Sequence, residues 1–175
     1  MKTNTKHLIT ALSALTLAFA PSAAKADNTT HSGFLGLSLG YYDILDDQDG
    51  VDIRAEYRPH TDIIFKGLKP WIGLESTFKG TLWAGAGLLY ELNLTPRWHI
   101  IPSFGAGLYH AGTRDLNLDN TIQFRSQIEI AHTLENDSRI SLSFSHMSNA
   151  GLGNHNPGTE VLSLGWQIPI NKLKP

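Results

Sequence analysis

The residues best suited to chemistry sit close together near the C-terminal end of this 175-residue chain. The stretch Ser145-His146-Met147-Ser148-Asn149-Ala150-Gly151-Leu152-Gly153-Asn154-His155-Asn156-Pro157-Gly158-Thr159-Glu160 offers a base, a hydroxyl nucleophile and a carboxylate. His146 can take the proton from the Ser148 hydroxyl, and Glu160 can fix the histidine tautomer and stabilise the imidazolium. That chemistry requires the three groups in contact. The question is therefore which elements bring them together.

After Asp27 the apolar residues recur every second position, broken by turn residues, with no convincing 3.6-residue period. The pattern predicts strands at 34–42, 50–59, 69–78, 81–93, 97–109, 121–134, 138–148 and 158–169. An even number of strands of about ten residues each is the pattern of a small outer-membrane barrel. The expected fold is therefore an all-β, eight-stranded antiparallel up-and-down transmembrane β-barrel.

The two faces of each strand support this. Val51, Ile53, Ala55 and Tyr57 alternate with Asp52, Arg54, Glu56 and Arg58, and Ile122, Phe124, Ile128 and Ile130 with Gln123, Arg125, Gln127 and Glu129. An eight-stranded barrel encloses just enough room for side chains. Arg54, Arg58 and Arg125 are expected to pair there with Glu56, Glu75, Glu91 and Glu129, leaving the apolar face to lipid. Trp71, Trp98, Trp166, Tyr41, Tyr42, Tyr57 and Tyr90 are expected to form an aromatic girdle. A closed barrel leaves no unpaired strand edge in hydrocarbon. A soluble lipid-binding barrel of lipocalin type is the alternative; it would line its cavity with the apolar face and leave the charges outside. The Gly-rich runs 84–87 and 104–107 suit either barrel, because glycine eases curvature.

Strand parity then locates the chemistry. His146 and Ser148 continue the face of Ile140, Leu142 and Phe144, and Glu160 shares the face of Leu162, Leu164 and Trp166. Side chains alternate across a strand, so all three point outward, toward lipid. Glu160 stands across the hairpin from His146, within reach if the register closes.

The N-terminus sets the compartment. Lys2 and Lys6 precede an apolar run, Leu8 to Ala20, followed by the small-residue site Ala24-Lys25-Ala26. This is a secretory signal peptide, expected to span 1–26, with the barrel domain over 27–175. An exported N-terminus starts the chain in the periplasm, so odd strands run outward and the three residues lie at the outer rim. The 60–68 link is long for a periplasmic turn, and the 79–80 link is short for an outer loop. The chain has no cysteine, which excludes a disulfide scaffold. A formal net charge of -2, with no basic stripe, argues against nucleic acid as a partner. Asn154, His155 and His146 come without a hard-ligand set, so no metal and no cofactor is expected.

His146-x-Ser148-Asn149-Ala150-Gly151, followed by Asn156-Pro157-Gly158 and Glu160, resembles the active-site signature of the lipid A 3-O-deacylase (PagL) family of outer-membrane enzymes. The resemblance implies hydrolysis of the ester that holds the acyl chain at position 3 of lipid A, a component of the outer leaflet. It implies Ser148 as nucleophile, His146 as general base and then acid, and Glu160 as orienting carboxylate. It further suggests an oxyanion hole from the Asn156 side chain and the Gly151 backbone N–H, with Asn149 as another candidate. The partners implied are lipopolysaccharide and membrane lipid, and a lipid-facing site leaves room for a homodimer. A non-enzymatic structural barrel is the competing reading.

Overall fold

The computed structural model describes residues 33–45 and 50–173; the expected signal peptide, 1–26, lies outside them. Nine strands follow one another: β1 (Gly33–Tyr42), β2 (Gly50–Pro59), β3 (Leu68–Thr77), β4 (Leu82–Tyr90), β5 (Leu92–Asn93), β6 (Trp98–His110), β7 (Ile122–Thr133), β8 (Arg139–Ser148) and β9 (Gly158–Pro169). Apart from β4 and β5, which both pair with β6, each strand pairs antiparallel with its neighbour in sequence, and β1 pairs with β9, so the sheet closes. β4 and β5 are one stave. Leu88 faces Phe104 and Leu92 faces Ile100, which keeps a single register against β6. The stave is interrupted at Glu91, whose N–H donates to the Gly67 carbonyl at 2.9 Å. The result is the eight-stave antiparallel barrel that the alternation predicts, with strand ends within about two residues of expectation.

Alternation also sorts the side chains. Leu37, Leu39, Val51, Ile53, Ile72, Leu74, Ile128, Ile130, Leu142 and Leu164 are exposed on the outer wall, while Arg54, Glu56, Glu75, Arg125, Gln127 and Glu129 are buried inside. An apolar exterior around a polar core is inverted relative to a soluble barrel and suits a hydrocarbon surround. Strands of about ten residues at about 3.3 Å rise and 45° tilt reach about 23 Å, close to the height of such a band.

An arginine–carboxylate network crosses the interior. Arg54 donates to Glu75 (2.9 Å), Gln127 (2.5 Å) and Ser145 (3.2 Å). Arg125 bridges Glu75 and Glu56, and Arg58 joins Glu56 to Glu129. Glu91 departs from expectation. Its partners are Lys69 and Arg139, both at 2.7 Å, because it lies at the far end of the barrel from Arg54 and Arg125.

Two girdle residues are corrected. Trp71 is 1% exposed and Tyr42 is also buried, both inside the barrel. Trp71 shares the parity of Glu75, and Tyr42 that of Gly40 and Ser38, so alternation turns both inward. Trp98, Trp166, Tyr41 and Tyr57 do stand on the exposed face. Trp71 and Trp83 lie 5.9 Å apart, with the Arg125 guanidinium 4.5 Å and 4.8 Å from their ring centroids. The glycine runs make this possible. A Cβ at Gly105 would sit 2.5 Å from the Trp71 ring, and one at Gly107 would sit 2.6 Å from Trp83. Their inward positions are vacant because two indoles fill the space.

Candidate active site

The site is built on the β8–β9 pair. The register sets His146 directly opposite Glu160 and Ser148 opposite Gly158. Direct cross-strand neighbours have their Cβ atoms about 5 Å apart, which an imidazole and a carboxylate span comfortably. His146 Nδ1 and Glu160 Oε1 are 2.7 Å apart. The glutamate side chain is 16% exposed and the histidine side chain 44%, so the carboxylate is largely covered while the ring stays open on its other edge. With Nδ1–H donated to the carboxylate, Nε2 carries the lone pair that a general base needs.

Gly158 gives the ring its place. A Cβ there would lie 2.5 Å from His146 Cε1 and 3.4 Å from Nε2. The imidazole therefore lies over the bare backbone of Gly158, the residue that pairs with Ser148 across the strands. Among the described residues the Ser148 hydroxyl makes no hydrogen bond, which leaves it to turn toward Nε2. Catalytic hydrogen bonds of this kind often tighten only once substrate is bound.

The β8–β9 loop, residues 149–157, supplies the remaining candidates. Asn149 takes the inward side and is fully buried. Its Nδ2 donates to the carbonyls of Leu118 (2.9 Å) and His155 (2.8 Å), and its Oδ1 accepts the Gly151 N–H at 2.8 Å. Gly151 adopts φ +82° and faces open space, so that N–H can exchange its partner. Asn156 is exposed, and its amide carries no hydrogen bond to another described residue.

One contributor has no signal in the C-terminal stretch. Asp119, in the β6–β7 loop, accepts the His155 N–H through Oδ2 at 2.7 Å. It sits at φ +61°, an uncommon conformation for a residue with a side chain, and it packs against Gly153. A Cβ at Gly153 would meet Asp119 Oδ2 at 2.6 Å and Asn149 Nδ2 at 3.0 Å. Asp119 and Asn149 together clamp the loop on either side of His155, next to Asn156. These residues lie about 30 positions apart in sequence, so local pattern reading has no access to the contact.

The chain has counterparts among known proteins. The family described as Lipid A 3-O-deacylase (PagL) matches residues 55–169, more than half of the chain. A lipid A deacylase PagL from Bordetella bronchiseptica is 27% identical over 102 residues, which is 57% of this chain and 57% of that protein. The alignment thus spans little more than half the length of that curated relative. Among solved structures, the outer membrane enzyme PagL matches with a TM-score of 0.56 at 20% identity, over 78% of this chain and 99% of that one. Neisserial surface protein A (NspA) matches with a TM-score of 0.60 at 11% identity, over 79% and 97%. At such identities the structural likenesses speak for the fold alone, and they agree on the transmembrane barrel. The family match takes in the whole β8–β9 hairpin with His146, Ser148 and Glu160, and by it this chain belongs to the lipid A 3-O-deacylase (PagL) family.

Proposed function

We propose that this chain is an outer-membrane ester hydrolase that removes the acyl chain from position 3 of lipid A. The observation that carries the reading is the 2.7 Å His146–Glu160 bond on the lipid-facing wall, with Ser148 two residues along the same face. The pair stands on a face that Leu142, Phe144, Leu162 and Leu164 otherwise make apolar, and it is already hydrogen-bonded in the orientation that the chemistry requires. An acyl ester held in a membrane reaches this wall without leaving the bilayer.

In this reading Ser148 Oγ attacks the ester carbonyl carbon while His146 Nε2 takes its proton. Glu160 holds the ring through Nδ1 and stabilises the imidazolium. The carbonyl oxygen becomes an oxyanion. It is met by the Asn156 side chain and by the Gly151 N–H, which exchanges its bond to Asn149 for one to the substrate. Asn149 contributes by holding the loop through its two carbonyl partners. Collapse of the intermediate breaks the C–O bond to the sugar, and His146 returns the proton to the leaving 3-oxygen. Water, activated by the same histidine, then cleaves the acyl-serine and releases a fatty acid. The N-terminal residues 1–26 act as the cleaved export signal, which puts the site at the outer leaflet, where lipopolysaccharide lies.

The test is mass spectrometry of lipid A from a Gram-negative host producing the chain or its Ser148→Ala variant. The expected result is loss of one ester-linked acyl chain with Ser148 intact and an unaltered profile with the variant. An unaltered profile from both, with the barrel folded in the outer membrane, sinks the reading in favour of a structural barrel.

A further inference from the structure

The link between β2 and β3 is long for a turn at the end of the barrel remote from the site, and the hydrolysis does not use it. Residues 60–67 run off Pro59 and return to Leu68 through a closed loop. Ile63 N donates to Leu68 O (2.9 Å), Leu68 N to Phe65 O (3.1 Å), and Glu91 N to Gly67 O (2.9 Å). Gly67, at φ +90°, makes the final bend against Tyr90. A loop so well bonded has a fixed shape, and the shape presents apolar groups outward. Ile64 is 76% exposed and Phe65 55%.

The direction of these side chains identifies their surroundings. Phe65 packs edge-on against Tyr90, with ring centroids 5.8 Å apart. Tyr90 has the parity of Leu82 and Leu88, which face outward on β4. Phe65 therefore lies on the outer wall, directly below the apolar belt, and Ile64 extends the belt beyond the last strand residue. Lys66, exposed beside them, carries a cation at the same level. An apolar tip continuous with a lipid-facing surface and edged by lysine has the composition of a membrane-interface anchor.

We propose that the β2–β3 link is a lipid-inserted foot. Ile64 and Phe65 enter the acyl-headgroup boundary of the leaflet opposite the candidate site, and Lys66 meets phospholipid phosphate there. The foot fixes the depth of the barrel at the end where the strands themselves run out. Its occupant is phospholipid, because the exposed groups continue the outer wall rather than the polar mouth formed by Arg58, Lys69 and Glu91.

The cysteine-free chain makes the test direct. Ile64→Cys and Phe65→Cys each give a single thiol for an environment-sensitive nitrobenzoxadiazole label. Glu135→Cys, exposed in the β7–β8 turn at the same end, is the control. The full chain is reconstituted in vesicles of phosphatidylethanolamine and phosphatidylglycerol, with no other protein. The labels at 64 and 65 should emit at shorter wavelength than the label at 135. Doxyl lipids should quench them several-fold more strongly, and aqueous iodide several-fold less. Equal iodide quenching at all three positions would overturn the proposal, including the case in which the foot docks a soluble partner instead. The readout does not depend on deacylation, so it stands or falls separately from the proposed activity.

Discussion

Two clusters in this barrel carry the same kinds of chemical group and have opposite characters. Inside, Arg54, Arg58 and Arg125 interlock with Glu56, Glu75 and Glu129, and each of these carboxylates accepts from more than one donor. On the outer wall His146 and Glu160 share one hydrogen bond, and the rest of the imidazole is open. The interior carboxylates are each held from more than one side, which fixes them in place away from any substrate. The outer pair keeps a free Nε2 on the face that also carries the unengaged Ser148 hydroxyl. A network held from several sides stabilises, and a pre-oriented pair with an open edge is available to react.

The largest effect that separates the two clusters is expected at Ser148. Ser148→Ala should lower deacylation by about 10⁴-fold or more while changing stability by at most about 0.5 kcal/mol, as measured by turnover and by urea unfolding of the same preparation. Arg125→Ala should do the reverse. It strips partners from Glu75 and Glu56 and removes the cation between two indoles. Breaking a buried pair from one side costs about 3–5 kcal/mol, which urea unfolding will report. An Arg125→Ala barrel of unchanged stability would contradict the structural role assigned to the interior.

Gly158→Ala sharpens the outer half of the contrast. A methyl group 2.5 Å from His146 Cε1 must displace the ring. A shift of that size is expected to cost about 10²-fold in kcat, with KM and unfolding little changed; full activity would show that the ring position is not critical. The smallest expected effect belongs to Asp119→Ala, which removes the acceptor for the His155 N–H. Losing one charge-assisted bond predicts about a tenfold fall in kcat. Asp119→Asn, which keeps an acceptor oxygen, should recover most of it. Equal losses in both variants would mean that the aspartate does not act through that bond.

The legible part of this molecule follows from alternation. Period-2 patterning was enough to turn Arg54 and Glu75 inward and Leu142, Phe144 and His146 outward, because in a barrel one parity fixes one face. The same rule applied to Trp71 and Tyr42 turns them inward, and the expectation of a girdle ran against it. The room for Trp71 and Trp83 depends on glycines of other strands, at 105 and 107, and no local pattern reports a cross-strand vacancy. Parity put Glu160 across the hairpin on the face of His146, and the register of the β8–β9 pair then joins the two. The clamp from Asp119 was not, because it joins two loops that only the closed barrel brings together.

If the chemistry takes place on the outer wall and not in the polar core, the reactive serine must be one that faces lipid. Ser141, Ser143 and Ser145 face inward along β8, while Ser148 faces outward on the same strand. The protein in lipid vesicles would be treated with a long-chain alkyl fluorophosphonate, digested, and the modified serine located by mass spectrometry. One adduct is expected, on Ser148, and none in the His146→Ala variant. An adduct on any of the inward serines, or labelling of Ser148 that does not depend on His146, would contradict it.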